Sequence, residues 1–231
     1  MPEITFIVDD LRGAILVEDN LDLGRDAIEH LREYLGESQE IGCARPLDII
    51  NPIADSSGIA PENSSVRIAG YYHDSLTEGP GRRSSVLFQY CPLKGCWTPQ
   101  LHSKEAGELI SVEKLAELLL DPEYERDGVT ILGGEPFAQP EGLNALVKAL
   151  RSRKCSHIVC YSGYTLDALS EKAIKQPSIS AVLDEIDILI DGAYVESLAS
   201  GAGLWTGSGN QRVIDMRATR AENRVILYST N

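Results

Sequence analysis

Between residues 66 and 191 the apolar periodicity alternates between strand-like and helix-like, and glycine, proline or a capping hydroxyl marks the switches. That alternation restricts the fold more than any other feature of the chain. VRIAGYY (66–72) and SSVLFQY (84–90) predict strands, and Ser111 predicts the cap of a helix whose apolar face is Val112, Leu115, Leu118 and Leu119. GVTIL (128–132) predicts the next strand, and a helix from Pro140 buries Leu143, Leu146, Val147 and Leu150. HIVCY (157–161), a helix starting at Thr165 and IDILID (186–191) complete the series. Parallel neighbours need long crossovers, so the pattern predicts an α/β fold with a parallel sheet. Ligands of such folds meet the C-terminal strand ends, and the clusters CPLKGC, GGEP, YSGYT and DGAY fall there.

The preceding segment differs in charge. Residues 1 to 65 carry 14 Asp and Glu against 4 Arg, a net of −10, and the first lysine is Lys94. EITFIV (3–8), AILVE (14–18) and an amphipathic stretch from Gly24 to Leu35 predict a small acidic ββα module over 1–45. A linker over 46–65 and a main domain over 66–231 follow. The net charge of −14 opposes nucleic acid and anionic membranes. No apolar run reaches the roughly 18 residues of a membrane span, and MPEITFIVDD lacks a basic start followed by a long apolar stretch, so the expected location is the cytoplasm. Five cysteines, an odd number without a secretory signal, are expected to be reduced, which leaves metal binding or burial.

The motifs each allow two readings. In GGEP, Gly133 and Gly134 let the backbone approach a ligand and Glu135 offers a carboxylate to an ammonium or hydroxyl; a tight turn with a surface glutamate accounts for the same residues. In FQYCPLKGCWTPQLH, Cys91 and Cys96 suit zinc or the iron of a cluster, or are structural cysteines. With His102 the loop reads C-x4-C-x5-H, and His73 would complete a zinc set. GLWTGSGNQRVID, with Asn210, Gln211 and Arg212 in series, cradles an anion or merely turns the chain. EGPGRRS is a turn with Arg83 as an anion contact.

Taken in order, RIAGYYHDSLTEGPGRRSSVLFQYCPLKGCWTP, GVTILGGEPFAQ, YSGYTLDAL, DILIDGAYVESL and WTGSGNQRVID resemble the radical S-adenosylmethionine activases of the anaerobic ribonucleotide reductase activating protein type, from Arg67 to Met216. The resemblance implies an open, partial α/β barrel. It implies a [4Fe–4S] cluster on three cysteines of a CxxxCxxC loop, with S-adenosylmethionine bound at the fourth iron and cleaved reductively to a radical that takes hydrogen from a partner's glycine. The implied partners are a glycyl-radical enzyme, an anaerobic ribonucleotide reductase, and a low-potential electron donor. No side chain of the chain itself is assigned a catalytic role.

By the same resemblance Gly133, Gly134, Glu135 and Pro136 meet the methionyl amino group. Ser162, Gly163 and Tyr164 match a TGY motif, Asp187 and Asp191 a DVLVDG strand, and Asn210, Gln211 and Arg212 an NQR motif. The departure is in the cysteine loop. A family-like loop reads CPLKCPGCWTP, whereas this one reads CPLKGCWTP and lacks the middle cysteine. Cys91 and Cys96 then align with the first and third metal ligands, and Cys160, at the end of a strand, is the best-placed candidate replacement, ahead of Lys94, Cys43, Cys155 and His102. Two other readings stay open: a protein of this fold that binds S-adenosylmethionine or the partner without radical chemistry, and a small zinc-binding module.

Overall fold

Alternation along the strands sorts their side chains onto two unlike faces. In the computed structural model, which describes residues 65–95 and 98–229 and the backbone of 6–9 and 14–17, Ile158 and Cys160 join one buried cluster while Val159 joins another. The first cluster contains residues of five helices, Val112, Leu143, Leu169, Ile179 and Met216 among them. The second holds Val159, Ile188 and Ile190, with Tyr161, Trp205, Val213 and Tyr228 packed against it. Helices therefore cover one face of the sheet, and aromatic residues from loops and the tail cover the other.

The chain divides into two units, Met1–Pro46 and Leu47–Asn231. In the first, β1 (Phe6–Asp9) and β2 (Ala14–Val17) pair antiparallel with Phe6 opposite Val17. The expected helix from Gly24 to Leu35, Cys43 and the linker up to residue 64 lie outside the described residues.

In the second unit β3 (Ser65–Ser75), β4 (Arg83–Phe88), β5 (Glu108–Ser111), β6 (Gly128–Gly133), β7 (Ile158–Ser162), β8 (Ile188–Asp191) and β9 (Arg212–Asp215) form one sheet in the order β5-β3-β4-β6-β7-β8-β9. The pairs β4–β6, β6–β7 and β7–β8 are parallel, as the strand–helix alternation requires. The expectation of a parallel sheet is corrected outside them: β3 runs antiparallel to both β4 and β5, and β9 antiparallel to β8. The segment between β3 and β4 is too short for a crossover. The tail then pairs along β9, with Asp215 N–H donating to Ile226 O (2.9 Å) and Tyr228 N–H to Val213 O (2.8 Å).

Local signals set the helices. Ser111 Oγ accepts from Lys114 N (3.3 Å) to open α1 (Val112–Leu119), whose buried residues are Val112, Leu115, Ala116 and Leu119. Pro140 opens α2 (Pro140–Ser152). Thr165 Oγ1 accepts from Ala168 N (3.2 Å) to open α3 (Leu166–Ala173). Pro177 opens α4 (Pro177–Glu185), and Asp215 Oδ1 accepts from Ala218 N (2.9 Å) at the start of α5 (Met216–Glu222). Among the described residues no helix is long and apolar enough to cross a membrane.

Polar groups lock the N-terminal strand ends. Arg83 is fully buried, which corrects its reading as an anion contact. Its guanidinium donates to Thr130 Oγ1 (3.0 Å), Val129 O (2.6 Å), Pro80 O (3.3 Å) and His157 O (3.3 Å), and meets His157 Nδ1 at 3.2 Å. Burial pulls its pKa down to about 10. Asp187 accepts from Ile158 N (2.6 Å), Arg151 Nη2 (2.8 Å) and Arg217 Nε (2.5 Å). Burial pushes its carboxyl upward, but the Ile158 N–H and the Arg151 guanidinium hold it below its ordinary value. Asp187 thus belongs to a structural network ahead of β8 rather than to the opposite strand ends.

Candidate functional site

At the C-terminal strand ends the four clusters meet at one cleft of about 210 Å³. Cys91, Leu93 and Lys94 line it beyond β4, Gly133 and Gly134 at the end of β6, and Tyr161, Ser162 and Gly163 at the end of β7. Gly192, Ala193 and Tyr194 follow β8, and Gly207 and Gln211 close the remaining side.

Backbone bonds beyond the strand ends bring these loops together. Gly134 N–H donates to Phe88 O (2.7 Å) and Glu135 N–H to Tyr90 O (2.9 Å), extending the β4–β6 register toward Cys91. Only glycine fits there, because a Cβ on Gly134 would lie 2.3 Å from Tyr90 O. Tyr90 takes φ +78°, an uncommon conformation for a side-chain-bearing residue, and this turns the chain into the cysteine loop. Cys91 is buried, with Sγ 3.9 Å from Leu93 O. Leu93 in turn packs on Gly163, where a Cβ would meet its Cδ1 at 2.3 Å. Cys96 lies outside the described residues.

Glu135 is neither a surface residue nor open to a ligand: it is fully buried behind the cleft wall. Its carboxylate accepts from Phe137 N (3.0 Å), Gly163 N (2.8 Å) and Ser162 Oγ (3.1 Å), so it ties the end of β6 to the end of β7. Pro136 opens the short turn Pro136–Ala138 that Glu135 caps. Burial raises the Glu135 pKa to about 7 from its ordinary 4.5, against the pull of the Gly163 and Phe137 N–H groups. The folded state therefore binds a proton that the unfolded chain has released. Stability from this group is full below pH 4.5 and lost as pH rises through about 7. The loss is about 3 kcal/mol. Urea unfolding over that range should show it as a slope missing in Glu135→Gln; parallel slopes would refute it.

Asp191 and the NQR run brace the other lip. Buried Asp191 accepts from Leu166 N (2.6 Å), Arg212 Nε (2.9 Å) and Arg212 Nη2 (2.5 Å), joining β8, β9 and the start of α3. Arg212 faces Asp191 across the strand pair and does not line the cleft. Asn210 Nδ2 donates to Ala193 O (2.8 Å). Gln211 Nε2 donates to Gly192 O (2.9 Å) while its Oε1 accepts from Gly207 N (2.7 Å), which clamps the glycine-rich loop to the turn after β8. Tyr161 OH reaches the same loop at Trp205 O (2.8 Å).

Two expected metal ligands are not brought to the cleft. Cys160 is fully buried in the helix-facing cluster, where burial pushes its thiol well above its ordinary range. A thiol held protonated in apolar surroundings is a poor metal ligand. His73 Nδ1 lies 2.8 Å from Ser84 Oγ, near the start of β4, and its ring stacks on Tyr124 at 3.9 Å. The zinc set built with His73 is therefore not assembled. Leu93 and Lys94 of CPLKGC, Tyr194 of DGAY and Gly207 of the glycine-rich loop, to which sequence reasoning gave no individual role, also line the cleft.

The family described as 4Fe-4S single cluster domain matches residues 77–214. The anaerobic ribonucleoside-triphosphate reductase-activating protein of Haemophilus influenzae is 30% identical over 150 residues, 61% of this chain and 92% of that protein. The protein of the same name from Escherichia coli K12 is 26% identical over 156 residues, 64% of this chain and 97% of its own length. The isethionate sulfite-lyase activating enzyme of Nitratidesulfovibrio vulgaris is 38% identical over 96 residues, 41% of this chain and 28% of that enzyme.

Proposed function

The chain belongs to the 4Fe-4S single cluster domain family, alongside the anaerobic ribonucleoside-triphosphate reductase-activating proteins, and on that premise we propose that it is a radical S-adenosylmethionine activase acting on a glycyl-radical partner. The proposed partner is an anaerobic ribonucleotide reductase, with a low-potential electron donor, and the sheet is read as an open partial barrel. One observation carries the reading: the cysteine loop, two glycine turns and the DGAY turn converge on a single cleft.

The glycines let the loops of the cleft pack closely, since a Cβ on Gly133, Gly134 or Gly163 would meet Leu87, Tyr90 or Leu93, and they leave bare backbone along the cleft, which fits a ligand gripped by backbone groups, as S-adenosylmethionine would be. In this reading Gly133 and Gly134 present C=O groups to the amino group of its methionyl end, while the Gly134 N–H stays bonded to Phe88 O and Glu135 and Pro136 hold the turn from behind. Ser162 and Gly163 line the next wall, and Asn210 and Gln211 hold the loop that narrows access of water. Asp191 and Arg212 fix the lip from outside. The bound cofactors supply the electron and the radical, and the chain supplies placement. For the iron–sulfur cluster the donor set is short: among the described residues no group of three or more His, Cys, Asp and Glu side chains is placed to hold a metal.

Equilibrium dialysis of labelled S-adenosylmethionine under anaerobic conditions tests the reading, followed by spin resonance of the partner's glycine. Absence of binding would sink it. The shortened loop favours one alternative, binding without cleavage. A variant with Cys-Pro inserted between Lys94 and Gly95 that cleaves S-adenosylmethionine, where the natural chain binds it but does not, would establish that alternative.

A further inference from the structure

Two limbs of the cysteine loop, one leaving β4 and one returning, are joined at their base by a single side chain. Cys91, Leu93 and Lys94 on the outgoing limb and Thr98 on the returning limb line the cleft. Gln89, two residues before Cys91, is buried just after β4. Its Nε2 donates to Gln100 O (3.1 Å) and to Ser103 O (2.9 Å) on the returning limb. Two carbonyls facing one group require a donor there, which an amide nitrogen supplies and a carboxylate does not. Gln100 lies inside the turn Pro99–Leu101, which Leu101 N–H closes on Thr98 O (3.1 Å), so a shift of Gln100 carries Thr98 with it.

The strand end from which Gln89 reaches is itself fixed. Three successive carbonyls, Phe88 O, Gln89 O and Tyr90 O, accept from Gly134 N (2.7 Å), Gln139 Nε2 (2.9 Å) and Glu135 N (2.9 Å), and Gln89 N–H donates to Arg67 O (3.0 Å). Gly107, at φ +74°, packs so closely on the side chain that a Cβ there would lie 2.9 Å from Gln89 Cβ and Cγ. The returning limb is therefore the part that yields when the amide is lost. We propose that Gln89 is a positioning residue of the cleft: its two N–H bonds set the spacing between the limb of Cys91 and the limb of Thr98, and with it the wall that a ligand meets. The ligand's part in this rests on the proposed function; the joining of the limbs does not.

The natural chain is compared anaerobically with Gln89→Glu, which keeps the shape and turns the donors into acceptors, and with Gln89→Met, which removes them without adding charge and guards against a folding defect in the first. Ser111→Ala is the control, because it removes a helix cap that does not line the cleft and costs a comparable share of stability. Alkylation by iodoacetamide is followed cysteine by cysteine through peptide mass, alongside thermal unfolding and S-adenosylmethionine dialysis. In both Gln89 variants Cys91 should react about tenfold faster, the scale of two hydrogen bonds, while Cys155 and Cys160, also buried, change no more than in Ser111→Ala. Affinity for S-adenosylmethionine should fall about tenfold in the Gln89 variants and stay unchanged in the control. Equal acceleration of all three thiols, which marks general loosening, overturns the proposal, as does undiminished affinity in both Gln89 variants. If the natural chain binds no S-adenosylmethionine the proposed function fails, and the thiol rates alone then decide whether Gln89 joins the limbs.

Discussion

Gly134→Ala should lower affinity for S-adenosylmethionine about a hundredfold and stability by about 3 kcal/mol. The added methyl would lie 2.3 Å from Tyr90 O and 3.1 Å from Phe88 O. Neither atom is a flexible side-chain end. Phe88 O and Tyr90 O accept the N–H groups of Gly134 and Glu135, so relief by movement breaks the bonds that carry the strand register to the cleft. Tyr90 already holds φ +78°, and Cys91 is the next residue, so a backbone shift moves the cysteine loop as well. The checks are equilibrium dialysis and urea unfolding, with Gly203→Ala as control because its methyl would meet only Thr206 Oγ1, at 3.8 Å. Equal affinities for the two variants would show that the close approach at Gly134 does not shape the cleft.

Arg83→Ala should cost about 4 kcal/mol of stability, from the cavity and from buried acceptors left without donors. Its guanidinium spreads over two strands and a loop, reaching Thr130, Val129 O, Pro80 O and His157 O. Arg83→Lys should recover little, because a point-like ammonium cannot reproduce the planar fork. Urea midpoints decide this, and a loss under about 1 kcal/mol would mean that water replaces the missing donors.

Where information was local, the sequence could be read directly. Ser111, Thr165 and Pro140 each start a helix by chemistry contained within a turn, and the order of strands and helices follows from periodicity. Pairing direction is non-local, so the antiparallel β3, β5 and β9 could be known only once their neighbours were placed. The four clusters at the cleft were legible as strand-end loops. The burial of Glu135 and Arg83 was not, because a charged side chain reads as exposed until its acceptors or donors, supplied by distant segments, are seen. Cys160 shows the same limit: strand alternation puts it on one face with Ile158, but not on which side of the sheet the ligand cleft lies. Gln211 acts through backbone groups of two other turns, a role that leaves no periodic trace.

The tail along β9 has a consequence for how the protein behaves in a crowded solution. An outermost strand with idle N–H and C=O groups is a template on which a strand from another molecule can assemble. Here Ile226 and Tyr228 occupy those groups, and Leu227 sits across from Ile214. The chain thereby blunts this edge with its own backbone and removes one route to aggregation.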